Sequence, residues 1–144
     1  MAQPNILQIL VDDMGYGDLG LFSGGRCRTP TLDHLAQTGI CLTQHYSGAP
    51  VCAPARAALL TGQCAHACGM IGLAHRGFAL RDPRRHLASV LRAAGYHTSL
   101  IGVQHEATDP ATLGYSTVVP LPERDAAHVA SAAARFLASV PWEP

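Results

Sequence analysis

Cys52-Ala53-Pro54-Ala55-Arg56-Ala57-Ala58-Leu59-Leu60-Thr61-Gly62 reads as a short helix with both ends written into it. Pro54 falls in the first turn, where a fixed φ suits a helix and a missing N–H removes no hydrogen bond. Pro54 also disfavours the α region for the residue before it, so the helix is expected to begin just after Cys52. Gly62 closes it. Upstream, Ile40 to Tyr46 alternates apolar and polar residues, as a short strand does. Thr29-Pro30 is a helix start, Leu32, Leu35 and Ala36 give it an apolar face, and Gly39 stops it. The glycines between Gly15 and Gly25 impose a long loop, and Asn5 to Val11 is an almost continuous apolar run, expected as a buried strand.

Downstream, Leu87, Val90, Leu91 and Ala94 recur at helical spacing, predicting a helix from about Arg84 to Ala94 capped by Gly95. Tyr96 to Gly102 follows as a strand. From Glu123 to Val140, the residues Ala126, Val129, Ala130, Ala133, Phe136, Leu137 and Val140 mark one face of a long helix. Strands alternating with helices predict an α/β fold with a mostly parallel sheet flanked by helices. That last helix calls for a further strand, so residues 1–144 read as the N-terminal part of one α/β domain, truncated and with no internal boundary.

Composition narrows the partners. Apolar residues make up 48% of the 144 and charged residues 14%, enough for a core and too few charges for a disordered chain. Ten basic residues, all arginine, balance ten acidic ones, which leaves no broad field for nucleic acid or an anionic membrane. No stretch is apolar over the ~20 residues that span a bilayer. The N-terminus has no basic segment ahead of its apolar run, so a cytoplasmic protein is expected, or a periplasmic or secreted one whose leader was removed. Five cysteines, an odd number without a CxxC pair, argue against a disulfide framework.

Two groups of residues point to chemistry. Cys52 at a helix N-terminus sits where unpaired N–H groups and the macrodipole favour an oxyanion, and Arg56 lies one turn on, on the same face. Asp12-Asp13 at the C-terminal end of the first strand are adjacent hard oxygen donors suited to Ca²⁺ or Mg²⁺. Alone, such a pair is more often a solvated acidic turn, and a lone cysteine is as often a small buried side chain as a reactive one.

The run from Cys52 to Gly62 resembles the signature of the sulfatase family, with Cys, Pro and Arg at the signature spacing and Leu-Leu-Thr-Gly at its end. Asp12-Asp13 resembles the family's N-terminal metal-ligand pair, and Gly102 and His105 match a strand end that reads Gly-Lys-x-His in sulfatases. Val103 stands where that lysine should be. Thr29-Pro30-Thr31-Leu32-Asp33 is similar to the family's first helix start. Gly69 to Leu73 and His75 to Phe78 are most like heparan N-sulfatase-type members. The likeness covers residues 4 to 105 and fades beyond them.

It implies an alkaline-phosphatase-like fold and hydrolysis of sulfuric esters or sulfamates. It also implies that a maturation enzyme oxidises Cys52 to formylglycine, and that the hydrated aldehyde helps Asp12 and Asp13 bind a divalent cation, Ca²⁺ or else Mg²⁺. Arg56 would hold the sulfate and His105 would protonate the leaving group of a small-molecule or saccharide sulfate ester. The family completes its metal site with a later Asp-Asn pair and places a further His and Lys beyond the position of Pro144, so residues 1–144 by themselves are expected to be inactive.

Other readings remain. The non-catalytic one, a truncated or degenerate member, is favoured by Val103; another makes the protein a phosphonate or phosphate ester hydrolase of the same superfamily. Gly15-Tyr16-Gly17-Asp18-Leu19-Gly20 matches a dinucleotide-binding pattern, but Asp12-Asp13 would repel a pyrophosphate and no helix is expected from Leu21 to Arg26. Cys64, His66 and Cys68, joined by Cys27 or Cys41, lack the paired short spacings of a structural zinc site, and small buried cysteines are expected instead.

Overall fold

A computed structural model describes residues 3–123 and 125–140. They form two compact units, residues 1–46 and residues 47–144.

Among the described residues of the first unit the one α-helix is α1, Pro30–Thr38, preceded by a 3-10 turn over Tyr16–Asp18. Pro30 opens it as expected. Thr29 holds the N-cap position without capping. Its hydroxyl instead accepts from the Gly20 N–H at 2.7 Å and donates to Asp33 Oδ1 at 2.9 Å. Asp33 Oδ1 also accepts from the Leu21 N–H at 3.0 Å, so the helix start is tied to the glycine loop. Gly39 ends α1, donating to the Leu35 carbonyl at 2.8 Å.

Neither expected strand of this unit forms. Residues 5–11 run without a ladder, and Ile9 is 70% exposed. Residues 40–46 contain a turn, with Ile40 90% exposed. Their apolar patterns are genuine, but a strand takes its hydrogen bonds from a neighbour, and among the described residues none pairs with either segment in a sheet.

The second unit carries α2 (Cys52–Thr61), the single turn α3 (Ala65–Cys68), α4 (Leu87–Ala93) and α5 (Ala126–Ser139). Helix α2 begins at Cys52 itself, one residue earlier than expected. Ala53 is helical in spite of Pro54, and Pro54 itself is tolerated because a proline in the first turn displaces no helix hydrogen bond. Gly62 caps α2 in the left-handed region at φ 64°, where a glycine carries no Cβ penalty.

The helix expected from Arg84 is divided. Asp82 accepts from the Arg84 N–H and starts a 3-10 turn over Pro83–Arg85. His86 is extended and caps α4 by accepting the Ala88 N–H at Nδ1. In α5 the cap is Asp125, which accepts from Ala127 and His128. Ala132 is the buried residue of α5, whereas Ala126 and Ala130 of the expected face are exposed.

Two short strands, β1 (Ser99–Ile101) and β2 (Thr117–Val119), pair in parallel, with Ser99 opposite Thr117 and Ile101 opposite Val119. The fold class is therefore the expected one: helices around a short parallel sheet. Only β1 lies on a segment the sequence marks. The core joins Ala53 and Ala57 of α2 to Cys68, Met70, Leu80 and Leu113, with Tyr115 and Ala107 packed against it. Cys68 is buried, but Cys41 and Cys64 are exposed, so the expectation of small buried cysteines holds for Cys68 and fails for those two. No helix among the described residues is long and apolar enough to cross a membrane.

Candidate functional site

Cys52 is the first residue of α2, after Val51 in an extended N-cap. The first intrahelical bond runs from the Ala55 N–H to the Val51 carbonyl at 2.9 Å, leaving Cys52 among N–H groups that have no helical acceptor. Its thiol is half-buried and not in a disulfide. The packed face of α2, through Ala53, Pro54, Ala57 and Leu60, fixes the helix against the core and so fixes where Cys52 and Arg56 lie.

Arg56 is half-buried, and its Nη1 donates to the carbonyl oxygen of Val103 at 3.1 Å. This bond joins α2 to the turn that leaves β1, which carries His105. The turn is braced by its own side chains. Gln104 Oε1 accepts from the N–H groups of Glu106 and Ala107, each at 2.8 Å, while Gln104 Nε2 donates to the Ala107 carbonyl at 2.6 Å. Glu106 Oε2 accepts from the His105 N–H at 2.7 Å. His105 is half-buried, and its Nδ1 is enclosed without a hydrogen-bond partner.

Glu106 of this turn and Tyr115 of the core complete the surroundings. Glu106 is only 1% exposed, and its Oε1 is also enclosed and without a partner. Tyr115 packs on the core with the His86 ring edge-on, centroids 5.6 Å apart. Burial pushes the Tyr115 hydroxyl up to about 12; the Glu106 charge adds to the rise and the Arg56 charge opposes it. The Tyr115 hydroxyl therefore keeps its proton at ordinary pH. Gln104, Glu106 and Tyr115 carry no motif, and adjacency to His105 is the one sequence signal that marks the first two.

Asp12 and Asp13 belong to the first unit. Both are exposed and follow the irregular residues 5–11. Asp13 is the only described non-glycine residue with positive φ, at 55°. The left-handed region is uncommon outside glycine, and aspartate is among the residues that tolerate it. Two adjacent exposed carboxylates fit a hard, oxygen-seeking cation in charge and donor type. Elsewhere, Glu123, Asp125 and His128 bring three exposed donor atoms within 4.8 Å of one another. This cluster lies at the start of α5, where Asp125 is occupied as the helix cap and bonds His128 Nδ1 at 2.6 Å.

Comparison with known proteins bears on what these residues are for. Human arylsulfatase D is 40% identical over 122 residues, covering 78% of this chain and 20% of that protein. Mouse steryl-sulfatase is 42% identical over 110 residues, 71% of this chain and 18% of that enzyme. Pig N-acetylgalactosamine-6-sulfatase is 38% identical over 112 residues, 71% of this chain and 22% of that enzyme. The chain thus spans about a fifth of the length of these relatives. They lend no support to the heparan N-sulfatase likeness of residues 69–78. The family profile described as Sulfatase matches residues 4–134, a stretch that takes in most of each unit, with the Asp pair, α2 and the His105 turn; the chain belongs to the sulfatase family.

Proposed function

We propose that the protein, of which residues 1–144 are the N-terminal part of a catalytic domain, hydrolyses sulfuric esters or sulfamates. Its nucleophile is a formylglycine made from Cys52 by a maturation enzyme. The observation that supports this most is the bond from Arg56 to the Val103 carbonyl, because it couples the signature helix to the turn bearing the second family residue, His105.

In this reading Asp12 and Asp13 hold a divalent cation, Ca²⁺ or Mg²⁺, together with the modified Cys52 side chain. When bound, that cation polarises a sulfate oxygen and favours the ionised nucleophile. The protein's own groups do the rest. Cys52, as a hydrated aldehyde, offers two hydroxyl groups at the positive end of α2. One attacks sulfur while the bond to the leaving oxygen or nitrogen breaks, and His105 gives that atom its proton. The second hydroxyl then collapses to the carbonyl, expelling sulfate and restoring the aldehyde. Arg56 neutralises charge on the transferring group. The substrates are small-molecule or saccharide sulfate esters, in keeping with the sulfatase names of the relatives.

Val103 favours a second reading, a family member without turnover, since it removes a cation from the anion site. Co-expression with an active maturation enzyme, peptide mass spectrometry at Cys52 and an assay with an activated aryl sulfate separate the two. Formylglycine at Cys52 with turnover lost in Cys52→Ala supports the hydrolase. An intact thiol in every molecule refutes it.

A further inference from the structure

Glu106 is a carboxylate in a place where an apolar side chain would suffice for packing. It is 1% exposed, and one oxygen is enclosed with no partner. An unpaired buried acceptor carries a desolvation penalty that leucine or glutamine would avoid or reduce. What Glu106 does make is one short hydrogen bond, 2.7 Å from Oε2 to the backbone N–H of His105. Glu106 is itself held, since its own N–H donates to Gln104 Oε1 at 2.8 Å. The Gln104 side chain closes back on the Ala107 carbonyl, so the segment from Gln104 to Ala107 is a self-locked turn with His105 at its centre. The Arg56 bond to Val103 moors the start of that turn to α2.

We propose that Glu106 is a positioning residue for His105, fixing through its carboxylate the backbone from which the imidazole is presented to the leaving group. The proposal rests on the reading of His105 as the proton donor given above. The effect of the Glu106 charge on Tyr115 agrees with a carboxylate lodged inside the turn and not extended to solvent. A backbone N–H that donates to a side-chain carboxyl oxygen at this distance fixes the peptide, and proton transfer depends on close placement of the donor.

The experiment is a double-mutant cycle in the full-length protein, matured at Cys52 and assayed with an activated aryl sulfate and with an unactivated alkyl sulfate, whose departure needs a proton. Glu106→Leu should lower kcat at least tenfold on the alkyl substrate, with KM within twofold and a smaller effect on the aryl one. Glu106→Gln, which keeps an oxygen acceptor for the His105 N–H, should recover most of that loss. In a His105→Ala background, Glu106→Leu should have no further effect, which a merely structural role would not produce. Additive losses in the cycle, or equal losses on both substrates, overturn the proposal while leaving His105 in place. Full activity of His105→Ala, or a matured protein inert to both esters, overturns the reading on which it rests, and the proposal with it.

Discussion

Arg56 donates to Val103 through the Val103 backbone carbonyl, 3.1 Å from Nη1, so the side chain at position 103 takes no part in the bond. The site can therefore lose the family lysine there without losing the link between α2 and the His105 turn. Arg56 has two duties as a result: in the proposed function it would neutralise an anion, and it holds two segments together.

That second duty predicts a stability cost separable from activity. Arg56→Ala leaves the Val103 carbonyl without its donor and should lower unfolding stability by about 1–3 kcal/mol, the range for a partly buried hydrogen bond to a charged group. Denaturant titration checks this. A midpoint unchanged from wild type would mean that the bond contributes nothing to holding the turn.

The first of these duties was legible in the sequence and the second was not. The spacing from Cys52 to Arg56 puts both on one face of a helix, because helical period is local. The partner of Arg56 lies 47 residues on, and a backbone acceptor leaves no trace in residue type. The same limit explains the two missing strands. Ile6 to Val11 and Ile40 to Tyr46 state that they are apolar or alternating, but pairing is supplied by other segments. Conversely, β2 over Thr117–Val119 is too short to announce itself and exists because β1 lies beside it. His86 divided an expected helix by capping with its ring nitrogen, a role that helical periodicity does not encode.

His86 predicts acid sensitivity. It is 0% exposed, and burial holds its pKa below the ordinary 6.5, with a backbone contact to Leu113 opposing the shift weakly. The folded protein thus binds fewer protons at this group than the unfolded chain. Its contribution is complete above pH 6.5 and is lost as pH falls from there through the lower folded value. Unfolding midpoints measured across that interval should decline with acidification. His86→Asn, which keeps a side-chain cap for Ala88, should flatten the slope; an identical slope in the variant would assign the effect to other groups.

Gly114 turns the chain at φ 93° just before Tyr115. A Cβ there would stand 2.6 Å from Ser89 Cα and 2.7 Å from Ser89 N, in helix α4. Gly114→Ala should cost about 1–2 kcal/mol for the left-handed backbone alone, and more because Ser89 is backbone-fixed. Thermal unfolding would show it, and an unshifted melting temperature would mean that the close approach relaxes freely.

Val103→Lys would return a cation to the turn without touching the Arg56 bond. In the matured full-length protein it should raise kcat/KM for an aryl sulfate roughly tenfold or more, the value of one charge-assisted hydrogen bond to the anion. A neutral outcome would show that position 103 does not face the transferring group.

Asp12 and Asp13 should supply Ca²⁺ affinity together, and the backbone at Asp13 dictates how to test this. Alanine is a poor probe, because φ of 55° penalises it and a lost signal could reflect a rearranged loop. Asparagine tolerates the left-handed region and keeps the shape while removing the charge. Asp12→Asn combined with Asp13→Asn should therefore leave the unfolding midpoint nearly unchanged and reduce Ca²⁺ affinity in the full-length protein at least a hundredfold, since Ca²⁺ binding strength follows the number of charged oxygen ligands. Titration calorimetry of wild type and variant against Ca²⁺, then Mg²⁺, reads both the loss and the preference. Equal affinity in the two proteins would remove this pair from the metal site and leave Asp13 a strained turn without a ligand to justify it.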